Sequence, residues 1–215
     1  MYKLIIFDLD GTLLDTSKTI QNVLNASLLK FSLPQISLKK TIEFVGNGAK
    51  KLVERAVGAR TELTESVYKD YSKRFAECED DFTVPYKGAR ETLHKFGDAG
   101  ILLAIVTNKP EQATQRAYNK FLSDCRFCTV RGQASNSPLK PNPKTTLDII
   151  CAYGFKPEEC LFVGDGETDV QTAFNAGIDC VSVLWGFRTK EQLESAGAVR
   201  FASDFKELEA IVFEK

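Results

Sequence analysis

Apolar and polar positions along this chain follow two different periods. Short runs rich in Ile, Val, Leu and Phe occur at Lys3–Phe7, Ile101–Val106, Phe127–Val130, Cys160–Val163 and Cys180–Leu184. Runs this short and this continuously apolar predict strands buried on both faces, as in a parallel sheet. Between them the spacing turns helical, near Ala89–Asp98, Glu111–Asn119, Lys144–Tyr153 and Thr168–Ala176. Gly177 follows the last of these, where a left-handed residue suits a helix end. Strand and helix in alternation predict an α/β fold, a doubly wound parallel sheet with a Rossmann-type core.

One stretch breaks the alternation. From Asp15 to Thr83 no run reads as a strand. Instead a helical stripe of Ile20, Val23, Leu24 and Phe31 ends near Pro34, and a second stripe carries Ala49, Leu52, Val53 and Ala56. A third segment runs from Glu62 to Glu79, and Pro85 precedes the return to alternation. The expected organisation is an α/β core built from residues 1–14 and 84–215, with an α-helical domain inserted at 15–83. No internal repeat or low-complexity stretch changes this picture.

Composition narrows the function classes. Of 215 residues, 43% are hydrophobic, enough for a packed core. Lys and Arg number 28 against 29 Asp and Glu, a net charge of -1. That balance leaves no electrostatic footprint for nucleic acid or for an anionic membrane. No apolar run approaches the roughly 20 residues that span a bilayer. The opening Met1–Asp8 segment does not read as a secretion signal, so a cytoplasmic location is expected. The six cysteines, Cys78, Cys125, Cys128, Cys151, Cys160 and Cys180, then read as small buried thiols rather than a disulfide framework. Cys125 and Cys128 form a single C-x-x-C pair, too few ligands for zinc when His94 is the one histidine. His94 itself reads as a surface residue of a helix, which sets aside histidine-based triads.

Ligands of open parallel sheets bind beyond the carboxyl ends of the strands. The polar residues that follow each run are therefore the candidates for chemistry. The first run ends in Asp8-Leu9-Asp10-Gly11-Thr12, the second in Thr107-Asn108, and the fourth in Gly164-Asp165-Gly166-Glu167-Thr168-Asp169. A loop after the third run carries Lys140-Pro141. Asp8 and Asp10 are two apart, which in extended chain puts both on one face. Gly11 permits a close turn there, with its N–H available to an anion. One carboxylate can act as a nucleophile on phosphorus, and a second can give and take the proton. Carboxylates that face a phosphate need a cation between them, and oxygen ligands favour Mg²⁺. Thr107, Asn108 and Lys140 can hold the transferring phosphoryl oxygens. Taken singly, each of these groups also reads as turn, helix-cap or surface chemistry; those readings do not explain why all of them gather at one sheet edge.

The segment Asp8-Leu9-Asp10-Gly11-Thr12-Leu13-Leu14-Asp15-Thr16 resembles the first motif of the haloacid-dehalogenase-like hydrolase superfamily. Thr107 matches its second motif, Lys140 its third, and Gly164-Asp165 with Asp169 its fourth. The resemblance implies a Mg²⁺-dependent phosphatase acting on a small phosphorylated metabolite. Asp8 would be the nucleophile and Asp10 the general acid and base. Thr107 and Lys140 would orient the phosphoryl group. Asp8, the backbone carbonyl of Asp10, and Asp165 would hold the metal, with Asp169 in support. Gly166 departs from the pattern, since many members carry Ser or Thr there. Dehalogenases of the superfamily lack the second aspartate, so Asp10 favours phosphoryl transfer: an alkoxide needs a proton to leave, whereas a halide does not.

The insertion resembles the helical cap of phosphoglycolate phosphatases. Its most telling stretch is Phe44-Val45-Gly46-Asn47-Gly48-Ala49-Lys50-Lys51-Leu52-Val53-Glu54-Arg55. Gly-Asn-Gly before a helix exposes N–H groups suited to an anion. Asn47, Gly48, Lys50 and Arg55 are therefore expected to meet a second anionic group of the substrate, as in 2-phosphoglycolate. Competing readings are a pyrophosphatase, a sugar-phosphate phosphatase or phosphoglucomutase of the same superfamily, a phospho-accepting receiver module, and an inactive scaffold. The insertion and Asp10 argue against the receiver, and the complete set of motif side chains argues against the scaffold. The expected assembly is a monomer or small homo-oligomer.

Overall fold

A computed structural model of the chain describes residues 1–134 and 137–214. Its main sheet has six strands in the order β5-β4-β1-β6-β7-β8. These are β1 (Leu4–Phe7), β4 (Leu102–Pro110), β5 (Phe127–Gln133), β6 (Cys160–Gly164), β7 (Asp179–Val183) and β8 (Phe201–Ala202), and every pairing is parallel. A short antiparallel ribbon joins β2 (Leu14–Asp15) to β3 (Val84–Pro85).

The continuous apolar runs have a direct cause. Along β1, Ile5 and Phe7 enter one core with Leu93, Phe96, Leu208 and Val212, while Leu4 and Ile6 enter the other with Ile149, Ile150, Phe162 and Ala173. Helices α5 (Ala89–Asp98) and α10 (Phe205–Phe213) thus cover one face, and α7 (Lys144–Tyr153) and α8 (Glu167–Ala176) the other. The sheet is doubly wound, as the alternation predicts. β1 lies between β4 and β6; the chain passes from β1 to β4 and β5 on one side, then crosses to β6, β7 and β8 on the other. This is the switch point where parallel sheets open a crevice.

Between β2 and β3 lie four helices: α1 (Ser17–Lys30), α2 (Leu38–Phe44), α3 (Ala49–Val57) and α4 (Thr64–Glu77). They share a separate core of Ile20, Leu24, Leu28, Leu52, Val53, Val67, Tyr71 and Phe75. The expected stripes are present, with Val23, Phe31, Ala49 and Ala56 partly buried against that core. α1 stops at Lys30, short of Pro34. α2 was not anticipated, because Thr41 is its one buried residue and leaves no stripe to read. Nor were the two-residue strands of the ribbon, which are too short to show a period.

β4 runs farther than its apolar stretch. It continues past Val106 through Thr107, Asn108 and Lys109 to Pro110, before α6 (Glu111–Phe121) begins. Past β7 the structure adds α9 (Lys190–Ser195), β8 and α10. The thiols also differ from expectation. Cys125 and Cys160 are buried, Cys151 is exposed, and Cys78, Cys128 and Cys180 are intermediate; all six are free. His94 is exposed and 2.9 Å from Asp124, in keeping with a surface role. Among the described residues no helix is long and apolar enough to cross a membrane.

An ion-pair cluster ties α1 to α4. Asp70 pairs with Lys30 of α1 and, at 2.6 Å, with Arg74 one turn along its own helix. Burial opposes ionisation of Asp70, but the hydrogen bonds from Lys30 and Arg74 outweigh it and hold the carboxyl at about 2. A carboxyl held below its unfolded value adds stability above that value, and the contribution is lost as pH falls toward the folded one. Asp70→Asn is therefore expected to cost about 1 kcal/mol near neutral pH, the scale of a partly exposed ion pair. Its difference from the parent should shrink between about pH 4 and about pH 2, as read by urea unfolding across that range.

Candidate active site

The sheet delivers the predicted aspartates to one place. Asp8 follows β1 directly, with its N–H donating to the Val163 carbonyl at 2.9 Å. Its Oδ1 accepts from the Leu9 N–H at 2.7 Å and lies 2.9 Å from Lys140 Nζ. The chain then turns tightly, with the N–H groups of Thr12, Leu13 and Leu14 all directed at the Leu9 carbonyl. Gly11 makes this turn at φ +88°, and a Cβ there would lie 2.2 Å from Asp165 Oδ2. Glycine is thus required on two counts, conformation and space. The Gly11 N–H does not face an anion, however. It donates to the Leu14 carbonyl at 2.8 Å, which corrects the expectation of a phosphate contact there.

Asp165 and Asp169 come from the end of β6 and the first turn of α8. Asp165 accepts from the Thr12 hydroxyl at 2.7 Å and the Phe187 N–H at 2.8 Å. Burial, then the negative charges of Asp8 and Asp169, push its carboxyl up to about 8. Asp169 caps α8 by accepting from the Gly166 N–H at 2.9 Å, and it also lies 2.6 Å from Lys140 Nζ. It is raised by burial, with Lys140 opposing. Gly164 brings β6 this close, since a Cβ on it would meet Asp169 Cγ at 2.3 Å.

Lys140 has a side chain 2% exposed and stands between Asp8 and Asp169. Burial disfavours its charge, but Asp169 and Asp8 outweigh burial and hold the ammonium above its ordinary range. Asn108 fixes the Lys140 backbone. Its Oδ1 accepts from the Lys140 N–H at 2.8 Å, and its Nδ2 donates to the carbonyls of Lys140 and Gly46, each at 3.1 Å. Both ends of the Asn108 amide are thus taken by backbone, so it braces the site instead of meeting phosphate as expected. Thr107 lines the cleft; its oxygen accepts from the Lys109 N–H at 3.3 Å, and its hydroxyl hydrogen remains available to a ligand.

The sequence reading missed Lys109. Its side chain is 1% exposed, and its Nζ lies 2.9 and 3.2 Å from the two oxygens of Asp10. Lys109 lies two residues beyond Thr107, in a stretch of β4 where the register shifts and the apolar run has already ended. Arg188 was missed as well. From the loop after β7 it pairs with Glu167 at 2.9 Å and donates to the carbonyls of Ile42 at 2.8 Å and Val45 at 2.5 Å. No motif marks it.

The expected second anion site does not form from Lys50 and Arg55. Lys50 is exposed and pairs with Glu65 at 2.5 Å, across the α3–α4 contact. Arg55 donates to the Phe44 carbonyl and to Asn47 Oδ1, both at 2.7 Å, and so holds the Gly-Asn-Gly loop. Of the four residues proposed for this purpose, Gly48 lines the cleft; Asn47, Lys50 and Arg55 do not. The cleft has a charged floor of Asp8, Asp10, Lys109, Asp165 and Asp169, roofed by apolar side chains such as Ile20, Leu52 and Phe75.

The donor set suits a hard divalent cation. Asp8, Asp165 and Asp169 offer carboxylate oxygens that all lie within 4.8 Å of one another. Four aspartates there face two ammonium groups, Lys109 and Lys140, so carboxyl groups outnumber cations two to one. All-oxygen ligation of that charge fits Mg²⁺. A second group of ligand atoms, His94, Asp124 and Cys125, lies away from the cleft and does not include Cys128. Burial pushes the Cys125 thiol up to about 11, so it stays protonated near neutral pH.

Comparison with known proteins bears on the same residues. A phosphoglycolate phosphatase from Mannheimia succiniciproducens is 30% identical over 220 residues, covering 98% of each chain. One from Haemophilus influenzae is 31% identical with the same coverage. The solved structure of a predicted phosphoglycolate phosphatase from Haemophilus somnus superposes with a TM-score of 0.89 at 27% identity, over 98% of each chain. Residues 5–183, from β1 to the end of β7 and so including every aspartate of the floor, match the haloacid dehalogenase-like hydrolase family. On that match the chain belongs to the haloacid dehalogenase-like hydrolases.

Proposed function

We propose that this phosphoric monoester hydrolase releases phosphate from a small anionic ester, 2-phosphoglycolate first among them, through an aspartyl-phosphate at Asp8. The observation that carries the reading is the buried cluster in which Asp8, Asp165 and Asp169 surround Lys140, with Asp10 held beside them by Lys109.

Asp8 attacks phosphorus, forming a new P–O bond as the ester P–O bond breaks. Thr107 and Lys140 hold the phosphoryl oxygens in line, since catalysis of this transfer rests on positioning and charge. Asp10 gives a proton to the departing alkoxide. It then takes one from a water, whose oxygen attacks phosphorus and returns Asp8 to its free carboxylate. Lys109 orients the Asp10 carboxyl. Asp8, Asp165, Asp169 and the Asp10 carbonyl would hold Mg²⁺, which when bound offsets the carboxylate charge and polarises the phosphoryl group. Residues 15–83 act as a cap over the cleft. Two features favour a small anionic substrate. The relatives compared above are phosphoglycolate phosphatases, and Lys109 supplies a buried cation beside Asp10. A sugar phosphate suits the site less well, because Ile20, Leu52 and Phe75 offer its hydroxyls no partner. Six free thiols fit a reducing, cytoplasmic setting.

Mg²⁺-dependent phosphate release should be measured over 2-phosphoglycolate, pyrophosphate, sugar phosphates and a nucleotide. The expected preference is 2-phosphoglycolate, and Asp8→Asn should abolish release from every compound while circular dichroism stays unchanged. A preference elsewhere would overturn the substrate, and turnover by the Asp8 variant would overturn the mechanism. A chelator should stop release, with activity restored by added Mg²⁺; a chelator-insensitive rate would remove the metal from the scheme. Lys109→Met should lower kcat/KM at least about a hundredfold, as expected when a positioned catalytic group loses its support. Lys50→Ala should change kcat/KM by no more than about twofold, the scale of an exposed ion pair. Equal losses in these two variants would return the anion site to the α3 end of the insertion.

A further inference from the structure

Of the described insertion residues that line the cleft, Tyr71 alone carries a polar side chain; the others include Ile20, Ala49, Leu52 and Phe75. Tyr71 is 3% exposed, on α4, one turn before Phe75. The two rings stack with centroids 5.3 Å apart, and Lys109 Nζ sits 4.8 Å from the centroid of Phe75. That same ammonium holds Asp10. Tyr71 therefore belongs to the wall beside Asp10 and Lys109. Its hydroxyl makes no hydrogen bond among the described residues, and it is not one of the unpaired side-chain oxygens sealed from solvent there. The hydroxyl is thus open to a partner in the cleft, where a phenol can donate one hydrogen bond. Burial, then the charge of Asp10, holds the phenol well above its ordinary range, so it keeps its proton and faces the cleft as a donor.

We infer that Tyr71 is a specificity-determining residue, which donates its phenolic hydrogen bond to an anionic oxygen on the alcohol portion of the ester. The inference rests on the phosphatase reading above and assigns the insertion's part in it. Lys109 and Tyr71 together would receive a carboxylate from two sides, the first from the sheet and the second from the insertion. This arrangement replaces the one expected of Lys50 and Arg55, which do not line the cleft.

The test is Tyr71→Phe, assayed on 2-phosphoglycolate and on ethyl phosphate, which has the same two-carbon length without the carboxylate. The ratio of kcat/KM for the first ester over the second should fall about tenfold, the scale of a hydrogen bond to a charged group. The fall should appear in KM more than in kcat, since the bond exists before and during the chemical step. The midpoint of urea unfolding should stay level, because the variant removes a hydroxyl that no described protein group bonds. An unchanged ratio would overturn the inference and leave the phosphatase reading standing. A lowered midpoint with both esters equally impaired would also overturn it, by showing a structural role. Failure of the unaltered chain to hydrolyse either ester would overturn the phosphatase reading and this inference with it.

Discussion

The site depends on an ammonium buried among carboxylates. Lys140 touches Asp8 at 2.9 Å and Asp169 at 2.6 Å where almost no solvent reaches. Without that charge, Asp8, Asp165 and Asp169 would repel one another at short range in a medium that screens poorly. Much of the nearby backbone can be understood as holding this arrangement. Asn108 clamps the Lys140 peptide on both sides, and Gly11 and Gly164 let two chain segments approach within bonding distance of the aspartates. One lysine does not balance the cluster. The carboxyl of Asp165 is pushed up to about 8 by burial first and then by the charges of Asp8 and Asp169. A cluster of this charge suits a divalent cation.

The sequence made the sheet legible because burial on both faces imposes a strong local pattern. Ile5 and Phe7 face one core and Leu4 and Ile6 the other, so no polar residue interrupts the run. The aspartates were legible for a related reason, since they are the first polar residues after such runs. Lys109 was not, because β4 carries polar side chains beyond Val106, and a reading by hydropathy stops where the apolar run stops. Arg188 is hidden more deeply. Its partners Ile42 and Val45 lie 146 and 143 positions away and are met through their carbonyls, which carry no side-chain signal. Lys50 and Arg55 failed in the opposite sense. Their positions off the apolar stripe showed that they avoid the core of the insertion, but not which neighbour they face.

Several connections seat the insertion on the carboxyl edge of the sheet. Arg188 reaches the α2 end, and Asn108 reaches the Gly46 carbonyl. On the other side, Arg116 of α6 donates to the carbonyls of Phe75 and Ala76 and to Asp80 at 2.8–2.9 Å. Most of these acceptors are backbone carbonyls, so the contacts constrain where the helices sit more than which side chains they carry. The cleft wall can therefore vary in composition while its distance from the aspartates is kept.

The β2–β3 ribbon has a further consequence for how such a chain diversifies. Leu14 pairs with Pro85 and Asp15 with Val84, so the path into the four helices and the path out of them run side by side. The sheet's own connections begin before this point and resume after it. An exchange of the intervening block, by recombination in nature or by grafting at the bench, would thus join two neighbouring chain ends and leave the aspartate cluster in place. The ribbon thus confines any change in the insertion's side of the cleft to one contiguous segment of chain.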